Sequence, residues 1–138
     1  MNREILFKAK RKDNGEWVEG YYLNIAKINH FICTGKIKLD GALKGIIAPE
    51  MYVIDPDTLC QYTELTDKNG NRIWENDICK ITSDTLDGYE YFICKYESEN
   101  ARYVFEHNNI IIEFGDIYPY EIETVGNIFD NTDLLEVE

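Results

Sequence analysis

Every apolar run in this chain is short, and turn-forming residues interrupt the sequence at close intervals. Such a chain buries its hydrophobic side chains by folding short extended segments back on one another rather than by winding long helices. Three of the breaks have a clear mechanism. Asp13-Asn14-Gly15 and Lys68-Asn69-Gly70-Asn71 carry Asn and Gly, which accept the positive φ that a hairpin connection demands. His107-Asn108-Asn109 lies between two apolar stretches and reads as a third hairpin tip, its amides free to bond local backbone. Between the breaks, strands are predicted over Ile5 to Ala9, Trp17 to Leu23, Ile28 to Cys33, Met51 to Ile54, Ile78 to Thr82, Tyr89 to Tyr96, Tyr103 to Glu106, Ile110 to Phe114 and Glu121 to Val125. The fold class expected is mainly β, a small twisted sheet or an SH3-like barrel built from hairpins, with α+β as the alternative. Asn131-Thr132-Asp133-Leu134-Leu135 places cap residues before a leucine pair and adds a short C-terminal helical turn.

The stretch from Thr34 to Pro49 holds Gly35, Gly41 and Gly45 and reads either as a loop or as a broken strand pair. The expected organisation is one domain over residues 1–138, with room for an N-terminal subdomain 1–49 and a barrel-like subdomain 50–138. With 44% hydrophobic and 29% charged residues, a 138-residue chain can make both a core and a solvated surface without a disulfide or metal. No run approaches the roughly 20 apolar residues of a membrane span, and Met1-Asn2-Arg3-Glu4 lacks the apolar stretch of a secretory signal. A soluble cytosolic protein without membrane association is expected. Cys33, Cys60, Cys79 and Cys94 form no C-x-x-C pair, so four reduced thiols fit better than a zinc site or a disulfide framework.

The net charge of −12 belongs to one part of the chain. Up to Asn69, ten Lys and Arg meet ten Asp and Glu; beyond it, Arg72, Lys80, Lys95 and Arg102 face sixteen acids. That acidic part repels phosphate backbones and disfavours general nucleic-acid binding. Arg3, Lys8, Lys10, Arg11 and Lys12 run the other way near the start, most simply as a strand with a solvated face. Alternation in Tyr89 to Tyr96 makes both faces largely apolar, as in a central strand covered on two sides.

Catalytic patterns are missing. His30 and Cys33 are three apart in a predicted strand and point to opposite faces, and no G-x-x-x-x-G-K or G-x-G-x-x-G occurs. Asp67, Asn69 and Asn71 alternate as calcium ligands would, but Arg72 and Ile78 stand where an EF-hand loop needs glycine and a bidentate glutamate. No cofactor and no metal is expected.

The segment from Ile54 to Ile78 is the most specific in the chain. Pro56, Asp57, Thr58, Gln61, Tyr62, Thr63, Leu65, Asp67, Lys68, Asn69, Gly70, Ile73, Trp74, Glu75, Asp77 and Ile78 fall in register with the signature of the YopX family, which they resemble. Arg3 to Ala9 is similar to that family's opening, and Val125 to Asn131 with Leu134-Leu135 to its close. The resemblance implies a phage- or prophage-encoded protein acting in a bacterial cytoplasm; it implies no reaction. Glu64 and Asn76 stand where the family commonly has glycine, and Asn tolerates left-handed backbone better than Glu does. Physically the segment reads as a hairpin followed by a strand entry, with Tyr62 and Trp74 as a cross-hairpin pair. Its aromatic, acidic and amide side chains, Tyr62, Asp67, Asn69, Trp74 and Asp77, are the candidate partner-binding residues. The function expected is that of a non-catalytic accessory protein binding a macromolecule, protein ahead of others, with homo-oligomers open. The alternative is a small barrel binding single-stranded nucleic acid through the N-terminal bases with Lys36, Lys38 and Lys44. A third reading is an acidic mimic of DNA.

Overall fold

The structure, a computed structural model, describes residues 5–39 and 47–135. It is mainly β, in two open antiparallel sheets, and no closed barrel forms. Of the two architectures expected, the twisted sheet is the one built. The only helices among the described residues are single 3₁₀ turns, including Thr132–Leu135 at the predicted C-terminal position. The chain divides into two compact units, residues 1–61 and 62–138, so the division falls inside a strand and later than Pro49. Lys44 lies outside the described residues.

In the first unit, β1 (Phe7–Lys10), β2 (Trp17–Ile25), β3 (Asn29–Leu39) and β4 (Ile47–Val53) form an antiparallel meander in the order β4-β3-β2-β1, and Lys8 of β1 also pairs with Cys60. The Asp13-Asn14-Gly15 turn joins β1 to β2, with the Gly15 N–H bonded to the Arg11 carbonyl at 2.9 Å and the Asn14 side chain accepting from Glu16 N. Within Thr34 to Pro49 the described residues pair as strands, Ile37 to Leu39 against Ile47 to Pro49, with a register irregularity between Cys33 and Ile37, and residues 40–46 lie outside the described residues. Ala9, Ile32 and Ile54 are fully buried on one face, with Phe7, Val18, Tyr22 and Leu59 packed around them.

The second unit contains β5 (Cys60–Thr66) from Tyr62 onward, β6 (Arg72–Trp74), β7 (Asp77–Ser83), β8 (Gly88–Glu97), β9 (Arg102–His107), β10 (Ile110–Glu113) and β11 (Ile122–Asn127). Its sheet runs β10-β9-β8-β7-β11, and β8 is central, but it is not covered on both faces as expected: Phe92 and Cys94 are buried on one side while Tyr89 on the other is exposed. Cys79, Ile81, Phe92, Cys94, Phe105 and Ile122 from this sheet join Ile73 and Ile117 in the larger core. All four cysteines are free thiols; burial pushes Cys79 up to about 12, so it stays protonated at neutral pH.

Candidate functional site

The signature residues were the first candidates, and the structure uses them to hold the second unit together. The Asp67 side chain is buried inside the turn it begins. Its Oδ1 accepts the N–H groups of Asn69 and Asn71, each at 2.9 Å, and its Oδ2 accepts Thr124 N–H of β11, also at 2.9 Å. Burial pushes the Asp67 carboxyl up, but the three backbone donors outweigh it and hold the group below its ordinary value. The main chain adds to the knot: Lys68 N bonds the Ile122 carbonyl at 2.9 Å. Both carboxylate oxygens thus accept backbone N–H groups, Oδ1 from two and Oδ2 from one.

The other signature side chains follow the same logic. Tyr62 and Trp74 are direct cross-strand partners with ring centroids 5.4 Å apart, and the Arg72 guanidinium lies over the Tyr62 ring. Between Tyr62 and Thr66 the ladder is irregular, and Glu64 takes φ +73° there. Thr63 spans the irregularity: its hydroxyl donates to the Ile73 carbonyl at 2.7 Å. Asp77, also buried, accepts the Trp74 N–H at 2.8 Å across a turn in which Asn76 has φ +71°. Both departures from glycine therefore occupy left-handed backbone. Asn76 bonds on both sides, its N–H to the Cys94 carbonyl at 2.7 Å and its own carbonyl to Ile128 N–H at 3.0 Å.

The closing segment is built around side-chain amides. Asn127 Oδ1 accepts from Phe129 N and Asp130 N, while Asn131 Oδ1 accepts from Asn127 N at 3.2 Å. A Cβ at Gly126 would come within 2.5 Å of Asn131 Oδ1, which explains glycine at that position.

Of the five candidate partner-binding residues, Tyr62, Asp67, Trp74 and Asp77 are buried and Asn69 is exposed. Four of them thus present little to a partner. The acidic and aromatic chemistry that marks them in the sequence is the chemistry of a satisfied turn.

Catalytic groupings are equally spare. His30 Nδ1 pairs with the Tyr22 hydroxyl at 2.6 Å, and no cluster of three or more His, Cys, Asp or Glu suited to a metal occurs among the described residues. A 480 Å³ cleft beside Ser83, Asp84, Asp87, Tyr120 and Glu121 brings together hydroxyls and carboxylates without an imidazole or thiol in its wall.

A different surface stands out in the first unit. Alternation puts Tyr21, Leu23 and Ile25 on the face of β2 opposite the Ile32 core, and register places Cys33 beside Tyr21 and Phe31 beside Leu23. Met51 and Val53 of β4 continue the two rows. Tyr21, Leu23, Ile25 and Val53 are 42 to 56% exposed, and Ile28 at the adjoining hairpin tip is 78% exposed. That tip holds Ala26 and Lys27 at φ +57° and +60°, a left-handed conformation costing about 1–2 kcal/mol for each such residue. Lys8 and Lys10 border the face, their Nζ atoms 4.7 and 5.5 Å from the Trp17 ring centre. Sequence reasoning identified these strands but missed their exposed apolar face, because alternation alone does not tell which of two apolar faces is covered.

No helix among the described residues is long and apolar enough to cross a membrane. No curated protein matches the chain. The family model described as YopX protein matches residues 6–136, running from the first strand through the Asp67 turn to the Asn127 and Asn131 closure, and the chain belongs to the YopX family.

Proposed function

We propose that this is a non-catalytic accessory protein of phage origin that acts in the bacterial cytoplasm by binding another protein through the exposed face of β2, β3 and β4. The observation that carries the reading is the row of Tyr21, Leu23 and Ile25 in solvent, joined across Phe31 by exposed Val53 and extended by Ile28 on a strained tip. Contiguous exposed apolar surface marks interaction sites, and backbone strain is retained where a function needs it. Phage origin is the part that YopX membership supports.

The face is richer in aliphatic than in aromatic side chains, which favours a protein partner over bases stacked on rings. Two ammonium groups already lie against Trp17, the ring best suited to stacking. Single-stranded nucleic acid remains the second reading because Lys8 and Lys10 border the same face.

The test is a pull-down from bacterial cytosol with quantitative mass spectrometry, comparing the wild type with a Tyr21→Thr, Leu23→Thr, Val53→Thr variant. A partner held by this face drops by about tenfold or more in the variant and survives high salt, as a hydrophobic contact does. Equal recovery by both proteins rejects the face. Fluorescence anisotropy with labelled oligonucleotides at two salt concentrations addresses the second reading: submicromolar, steeply salt-dependent binding replaces the protein-binding proposal with it.

A further inference from the structure

Among the described residues, one edge of β8 in the second unit's sheet is only partly paired. β7 pairs with β8 along Gly88 to Ile93, whereas β9 covers the other edge of β8 only from Ile93 to Glu97. The β9–β10 hairpin turns back at Asn108 and Asn109, whose φ values of +52° and +67° suit a tight two-residue connection. Among the described residues, no strand lies beside Gly88 to Phe92 on that side. The direction of the ladder fixes which groups face the gap. The Cys94 carbonyl accepts from Asn76 N–H on the β7 side, so alternate residues Phe92 and Glu90 also turn toward β7. Tyr89 and Tyr91 therefore aim their backbone N–H and C=O groups at the open edge.

The gap also has a side-chain receptacle. A cavity of 360 Å³ lies there, walled by Tyr89 and Tyr91, by His107 and Ile110 of the hairpin, and by Leu134 of the C-terminal 3₁₀ turn. The two tyrosines meet edge to face at 5.8 Å, and Lys80 is drawn over Tyr89 at 4.3 Å. Charge sets what can approach. Residues 62–138 carry eighteen acids against Lys68, Arg72, Lys80, Lys95 and Arg102, and Glu90 stands at the cavity itself.

We propose that the open edge of β8 binds an extended, basic peptide segment of a partner protein by strand addition, with one apolar side chain of that segment filling the cavity. Backbone pairing at Tyr89 and Tyr91 supplies general affinity, the cavity supplies selectivity for the anchor, and the acidic field supplies preference for lysine or arginine on either side of it. A second copy of this chain is disfavoured as the occupant by its own charge of −12. The site is distinct from the β2–β3–β4 face and does not depend on it.

The test uses the full chain, isotope-labelled for NMR, and a short fluorescent peptide alternating lysine and valine around a central phenylalanine. Saturable binding with shifts centred on the amides of Tyr89, Tyr91, His107 and Ile110 is expected. The same peptide with glutamate in place of lysine should bind about tenfold more weakly or worse. Ile110→Lys, which brings a charge to the cavity wall, should weaken the basic peptide by a similar factor; Leu134→Lys serves if the first variant unfolds, and folding is read from the same spectra. Equal affinity for the acidic peptide, shifts confined to the first unit, or no binding at millimolar peptide overturns the proposal. Shifts at Tyr89 and Tyr91 that depend on protein concentration alone would assign the edge to a second copy and overturn it as well.

Discussion

Two regions of this protein, the β2–β3–β4 face and the segment from Tyr62 to Asp77, use their side chains in opposite ways. In the second, Tyr62, Trp74, Asp67 and Asp77 are drawn inward and satisfied by backbone or by one another. In the first, Tyr21, Leu23, Ile25 and Val53 stand in water on the side of the sheet opposite the buried Ala9, Ile32 and Ile54. The contrast separates two kinds of specificity. A recurrent residue pattern can mark what a fold cannot do without, while the surface available to partners lies on strands whose pattern is unremarkable.

The sharpest way to break this comparison is Trp74→Ala. Loss of the Tyr62 partner and of a buried indole should cost about 3 kcal/mol, as large aromatic truncations do, read as a lower denaturant midpoint. An unchanged midpoint would make Trp74 a surface residue and put the signature back among the binding candidates.

Asp67→Asn comes next. The amide keeps an oxygen for Asn69 and Asn71 but turns an NH₂ toward Thr124 N–H, and the loss should be about 2 kcal/mol at neutral pH. The pH dependence has a definite sign. Because the folded carboxyl titrates below its ordinary value of 3.8, its stabilisation is complete above that value and disappears as pH falls through the folded pKa. Wild-type stability should therefore decline on acidification below about pH 4, with a shallower decline in Asp67→Asn. Parallel acid limbs in urea titrations of the two proteins would show that the Asp67 charge contributes nothing.

Glu64→Gly should act in the opposite direction. Removing the Cβ at φ +73° relieves left-handed strain, while the more flexible unfolded chain takes some of it back, for a net gain of about 1 kcal/mol. A loss in the same measurement would show that the Glu64 side chain stabilises the irregular ladder more than its backbone strains it.

Ile25→Thr gives the smallest effect. It keeps a β-branched side chain on an exposed strand position and should shift stability by no more than about 0.5 kcal/mol. A cost comparable to that of Trp74→Ala would mean that the face is structural, and the distinction between the two regions would dissolve.

How much of this was readable in the chain follows from which physical signals are local. The hairpins at Asp13 to Gly15, Lys68 to Asn71 and His107 to Asn109 were legible because turn chemistry is set by two or three neighbouring residues. The central position of β8 was legible from its apolar residues, but the exposure of its Tyr89 face was not, because alternation does not say whether a second layer covers the sheet. The β5–β6 hairpin around Tyr62 and Trp74 was legible too, because the signature fixes its register. Barrel closure was not, since it depends on how edge strands meet and no local pattern encodes that. The role of Asp67 was hidden for the same reason: its third donor, Thr124, lies 57 residues away. The gap beside β8 arises from unequal strand lengths across one ladder, which only pairing register reveals.

That long-range donor gives the Asp67 turn a place in time as well as in space. Its two local bonds, to Asn69 and Asn71, can form as soon as the hairpin collapses, within microseconds by the general scale for such elements. The third waits for β11, whose Thr124 lies 57 residues further along the chain. Until then the nascent chain carries a half-satisfied carboxylate at the centre of its most specific segment, open to water and to chaperones. Completion of the Asp67 turn is thereby tied to the emergence of β11.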